Sequence, residues 1–184
     1  MKTYHSLAWS GLLALGFFIS ASADGQTNAA PSSIGIYDSR AVAYAHFVSE
    51  PCQKKLRERM AAARAAKQAG DDAKFKESDA ALRAEQDQIH RQAFSTAPVD
   101  DVMAAIKDRI PEIQKQAGVS ALVSKWDEKT LLKYKDASRV DVTDRLVREF
   151  IQPTEQQLKT ISDLEKSEPL SLEKCEELIR KGQI

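Results

Sequence analysis

The sequence predicts a mostly helical α+β fold: a small β head, a long antiparallel helical-hairpin arm, and a C-terminal helical extension. Three observations predict it. Strand-like segments occur only at IGIYDSR (Ile34 to Arg40) and within VSALVSKWDEKTLLKYK (Val119 to Lys135), about eighty residues apart. The residues between them carry apolar side chains at helical spacing. Charged residues make up 29% of the chain and there are only seven glycines, which favours solvated helices over a compact all-β domain.

Residues 1–23 read as a cleavable secretory signal. Lys2 and His5 precede an apolar run from Leu7 to Ile19, and Ala21-Ser22-Ala23 supply small residues for cleavage. That run is shorter than the roughly 20 residues a membrane span needs. The expected location is an exported compartment, most simply a periplasm. Residues 24–33 are small and polar and form a flexible lead-in.

Residues 34–50 supply the first head strand and a helix. Ile34 and Ile36 share one strand face, and Asp38 or Ser39 can cap a helix starting near Arg40. Pro51 interrupts that helix, with Ser49 as a fresh cap for the next. Residues 51–118 form the arm. Leu56, Met60 and Ala63 mark one face of an alanine-rich helix to Ala69, and Gly70-Asp71-Asp72 turns the chain. Phe75, Leu82 and Ile89 then recur at seven-residue spacing, as in a narrow coiled seam. Eighteen residues at helical rise give an arm about 27 Å long, thin and marginally stable at its tip.

Ser95 to Pro98 breaks the pattern. From Val99 to Ala117 the spacing predicts an amphipathic helix bent at Pro111 and stopped by Gly118. Residues 119–151 return to the head. Val119, Ala121 and Val123 lie on one strand face, Asp127 to Lys129 turn, and Thr130 to Lys135 return as an antiparallel partner. After Asp136 to Arg139, the segment VDVTDRLVREF reads as a linker capped at Thr143 and then a helix through Phe150, ended by Pro153. Ile34, Ile36, Val119, Ala121, Val123, Leu131 and Tyr134 are the expected core of the head and of an oligomer built on it. Residues 152–184 hold two short polar helices, one with Leu158, Ile161 and Leu164, the other with Leu172, Cys175, Leu178 and Ile179. So few short strands need their faces covered, by helices at the arm's base and by copies of the chain.

Several function classes are disfavoured. Removing residues 1–23 takes away one charged side chain, Lys2, leaving one more acid than base. Such neutrality argues against nucleic acid, whose binders are strongly basic. There is no GxxxxGK[ST] loop, HExxH or GxSxG, so neither a cofactor, a metal nor a catalytic residue is expected. His46 reads as a packing residue at the arm's base and His90 as a solvated one; Trp126 reads as head packing. Cys52 and Cys175 either bridge, in a compartment where disulfides persist, or remain two partly buried thiols.

Two stretches carry a family resemblance: IGIYDSRAVAYAHF after the signal and QAGVSALVSKWDEKTLLKYKDASRVDVTDRLVREF after the arm. With the element order between residues 34 and about 150, the chain resembles the Skp (OmpH) family of periplasmic chaperones. That resemblance implies a homotrimer whose strands form a central head and whose arms enclose unfolded outer-membrane proteins without ATP, close to the membrane periphery. The arm here is shorter than the family's, the charge more neutral, and residues 152–184 extend past the usual end. The resemblance makes Met60, Phe75, Leu82, Ile89 and Phe94 candidate client-facing residues. For Phe75, Leu82 and Ile89 the seven-residue spacing favours the seam instead. A second reading is an oligomeric envelope scaffold that docks one folded partner through its arm or tail.

Overall fold

The computed structural model describes residues 33–184. The signal-like segment and nearly all of the lead-in lie outside the described residues. Strand β1 (Ser33–Tyr37) is the middle strand of a three-stranded sheet, flanked by β2 (Leu122–Ser124) and β3 (Ser138–Asp141). Both pairings are parallel, with Ile36 opposite Val123 on one side and Asp141 on the other. Gly35 permits the close strand approach: a Cβ there would lie 2.8 Å from Leu122 Cδ2.

This topology corrects the expected antiparallel hairpin. Residues of the supposed returning strand form helix α6 (Glu128–Lys133) instead. Asp127 Oδ1 accepts from the Thr130 backbone N–H at 3.0 Å, a side-chain cap that starts a helix. Leu131 and Tyr134 are therefore half-buried residues on a helical turn, not strand residues. Parallel strands need a crossover, and the stretch read as a linker supplies β3. Ala121 lies just before β2, where its carbonyl accepts from Gly35 N–H at 2.8 Å. Ile34, Val119 and Val123 are buried, whereas Ile36 is half-buried.

Helix α1 (Ser39–Val48) follows β1 directly, capped by Asp38, whose carboxylate accepts from Arg40 and Ala41 N–H. Helix α2 (Glu50–Gln68) carries Pro51 in its first turn, though the Ser49 hydroxyl donates back to the His46 carbonyl and makes no cap. Gly70, at φ 70°, turns the chain into helix α3 (Asp72–Phe94), capped by Asp71. Arg59 and Glu85, 2.7 Å apart, tie α2 to α3. Ala63 and Ala66 are the only buried residues of α2, so the seam is narrow.

The single bent helix expected from Val99 to Ala117 is two helices, α4 (Asp100–Ala104) and α5 (Ile110–Ala117). Pro111 occupies the first turn of α5, where its missing N–H costs nothing, so it starts a helix instead of bending one. Gly118 closes α5 in the left-handed region at φ 66°. Val99, Val102, Ile106 and Ile113 pack with Val42 and Leu146, so this segment belongs to the head core and not to the arm. Helix α7 (Thr143–Phe150) has Val142 at its N-cap. Thr143 Oγ1 does not cap it; it accepts from Asp38 N–H at 3.0 Å and locks α7 to β1.

Helices α8 (Glu155–Lys166) and α9 (Leu172–Arg180) fold back onto the head. Ile161 joins Ala41, Ala45 and Val147 in a second core cluster. Leu170 N–H donates to the Phe94 carbonyl at 2.8 Å, and the buried Cys175 thiol faces the His90 carbonyl at 3.8 Å. Cys52 and Cys175 are not bonded to each other. Cys52 lies beside Glu85 and Gln88 of α3, whereas Cys175 meets α3 at His90, so the two thiols address different faces of that helix. Among the described residues no helix is long and apolar enough to cross a membrane.

Candidate functional site

An open groove of about 580 Å³ runs between α1, α2, α3 and α8. Helix α3 provides its floor through Leu82 and Ile89, two turns apart on one face, with Phe94 at the helix end. Helix α2 adds Leu56 and Met60, and α1 adds Tyr44 and Phe47. From α8 come Thr160 and Leu164. Met60 and Phe94 are 39% and 41% exposed, large apolar side chains left partly uncovered. Four of the five residues singled out from the sequence, Met60, Leu82, Ile89 and Phe94, thus share one groove. Phe75 stands apart, half-buried near the arm's turn with the Lys67 ammonium 5.2 Å from its ring centre.

Tyr44, Phe47 and Leu164 escaped sequence reasoning. The phenyl and phenol rings sit within AVAYAHF, whose apolar density gave a signal of burial but not of a groove. Leu164 is contributed by a helix more than a hundred residues away from α1, and no local pattern announces that pairing. His90, expected in solvent, is half-buried on the groove wall, and its Nδ1 is buried without a partner among the described residues. His46 lies edge-on to Phe150 at 5.2 Å, and burial holds its pKa below the ordinary histidine value. Burial raises the Cys52 and Cys175 thiols, leaving both protonated and poorly nucleophilic.

The α8 wall is held by a buried ionic cluster. Arg40, 2% exposed, meets Asp38 Oδ2 at 3.2 Å and donates to the Ser167 carbonyl at 2.7 Å and to that of Leu164. These carbonyls end α8, where the last turn leaves acceptors unsatisfied and favours a cation. Lys125 Nζ lies 2.7 Å from the same Asp38 oxygen and donates to the Glu165 carbonyl at 3.1 Å. The Trp126 ring stacks near both cations, 4.9 Å from Arg40 Cζ and 4.6 Å from Lys125 Nζ. Burial alone would raise the Asp38 carboxyl, but hydrogen bonds from Lys125 and Arg40 outweigh it and hold the pKa below the usual range.

The groove's polar members are Gln86, Glu85, His90, Thr160 and the Tyr44 hydroxyl, spread around an apolar floor. Among the described residues no three His, Cys, Asp or Glu side chains converge as a metal site. What the arrangement can do is receive an apolar segment. No family model, curated protein or solved structure matches the chain.

Proposed function

We propose that the protein is an ATP-independent periplasmic holdase that receives apolar segments of unfolded exported chains, outer-membrane proteins among them, in the groove between α1, α2, α3 and α8. The convergence of Met60, Leu82, Ile89 and Phe94 on one open apolar groove supports this reading most directly. A groove of this size takes a few side chains at a time, so retention of a long client rests on repeated weak contacts from several grooves held together. The Skp-like reading supplies that multiplicity: a homotrimer with its hairpin arms arranged around a shared space.

The purified protein should suppress aggregation of a urea-denatured outer-membrane barrel at several-fold molar excess without nucleotide. Phe94→Asp removes one apolar wall and should weaken client binding about tenfold, the loss expected from one large buried side chain. Absence of suppression overturns the holdase. The scaffold reading draws support from the fixed α8 wall, since a rigid groove suits one matching segment better than many. Capture of one folded partner in stoichiometric amount, with no barrel precursors, would replace the holdase by that scaffold.

A further inference from the structure

A second cavity, about 520 Å³, lies at the carboxyl ends of β1 and β2, away from the apolar groove. In sheets of parallel strands the crevice beyond the carboxyl ends, where successive connections leave to opposite sides, is a recurrent ligand site. Here β1 is central, and the cavity opens at its carboxyl end on the β2 side, with no lining residue from β3. The cavity also falls within the size range of small-molecule pockets.

Its polar lining is one-sided in charge. Asp100 and Asp127 both line it, and neither forms an ion pair among the described residues. Tyr37 stands between the strand end and these carboxylates, and its hydroxyl makes no hydrogen bond among the described residues. Burial, then Asp100 and Asp127, push the Tyr37 pKa up to about 12, so the phenol stays neutral. Ser39 also lines the cavity. It is 1% exposed, and its Oγ is buried without a hydrogen-bond partner among the described residues. A buried hydroxyl left unpaired is costly, and a ligand donor would remove that cost.

The neighbouring cations do not fill the site. Arg40 and Lys125 are engaged by Asp38 and by carbonyls of the α8 end, and neither lines the cavity. Lys129 and Lys133 act on Asp127 from α6 but are not in the lining either. Among the other lining residues Pro98, Val99 and Leu122 can meet an aliphatic stem, beside the hydroxyls of Thr96, Ser124 and Thr130.

We propose that this cavity binds an alkyl ammonium or alkyl guanidinium group, with Asp100 and Asp127 meeting the charge and the Tyr37 and Ser39 hydroxyls accepting from its N–H donors. The group has the chemistry of a lysine or arginine side chain, free or carried on a polypeptide. The site is independent of the apolar groove and of the holdase reading.

Titration of the full chain with agmatine, followed by calorimetry and by the Trp126 indole N–H resonance, tests this. Saturable binding should appear, weaken as salt is raised, and drop at least tenfold in the Asp100→Asn/Asp127→Asn double variant. Asparagine still caps α6, and an unchanged circular dichroism spectrum will show that the fold persists. Ser39→Ala should weaken binding by a smaller factor. A blocked pentapeptide with one central arginine, compared with its norleucine counterpart, separates the sources: tighter binding than agmatine identifies a polypeptide side chain, equal or weaker binding a free amine. No saturation by either cation, or identical binding by the double variant, overturns the site.

Discussion

Arg40 would be an unfavourable residue to bury if its charge had a single partner, because desolvating a guanidinium costs several kcal/mol. Here it satisfies Asp38 and the end of α8 at once, which is why a cation in the first turn of α1 can be almost wholly enclosed. The same contacts make folding pH-dependent. Asp38 is more acidic in the folded chain than in the unfolded one, so its contribution to stability is fully present above the unfolded carboxylate value near 3.9. That contribution is lost as pH falls through the folded pKa. Urea unfolding from pH 7 down to pH 2 should find Asp38→Asn less stable than wild type by about 2 kcal/mol at neutral pH. The gap should close in acid. Parallel curves would mean that the carboxylate is not held by Arg40 and Lys125 as described.

Between elements, stability is uneven. Helices α1 and α7 share buried core, whereas α2 buries only two alanines and the distal part of α3 is largely exposed. Small side chains bury little area per turn, so the α2–α3 turn should open locally while the head stays folded. Hydrogen exchange should show amides between residues 62 and 78 exchanging roughly a hundredfold faster than those of α1 and α7, with the boundary near Leu56 and Leu82. Uniform protection along α3 would contradict this. Local chemistry made much of this legible: the Asp38 and Asp71 caps, Pro51 in a first turn and the left-handed Gly118 are each set by neighbouring residues. The α6 segment was not legible, because Thr130 to Lys135, with Leu131, Leu132 and Tyr134, fit a short strand as well as the end of a short helix. The partner of β1 was hidden for another reason: Ser33 pairs with Ser138 across more than a hundred residues, and nothing local specifies that choice. The groove divides the same way. Its α2 and α3 residues follow from helical spacing, while Tyr44, Phe47 and Leu164 arrive only through packing.

For the whole molecule, the fold changes the argument for assembly. Strand β1 finds both neighbours within one chain, and Tyr37, Leu122 and Val140 of the sheet pack with Val102, Ile113 and Leu146 of α4, α5 and α7. Covering the sheet is therefore no longer the physical reason for a trimer. What remains exposed on the head is Leu132, 73% accessible on α6, beside half-buried Leu131 and the open edge of β3 with Arg139 and Asp141. A subunit contact centred on α6 would remove that leucine from water and leave the charged β3 edge as a polar rim. The proposed trimer accordingly predicts a native mass of three chains at micromolar concentration, and Leu132→Glu should shift the equilibrium toward single chains without altering the helical signal. A wild-type monomer under those conditions overturns the trimer while leaving the groove intact. Client retention would then rest on a single groove of about 580 Å³, without the gain from linked sites, and holding a long unfolded chain would require a large molar excess of the protein.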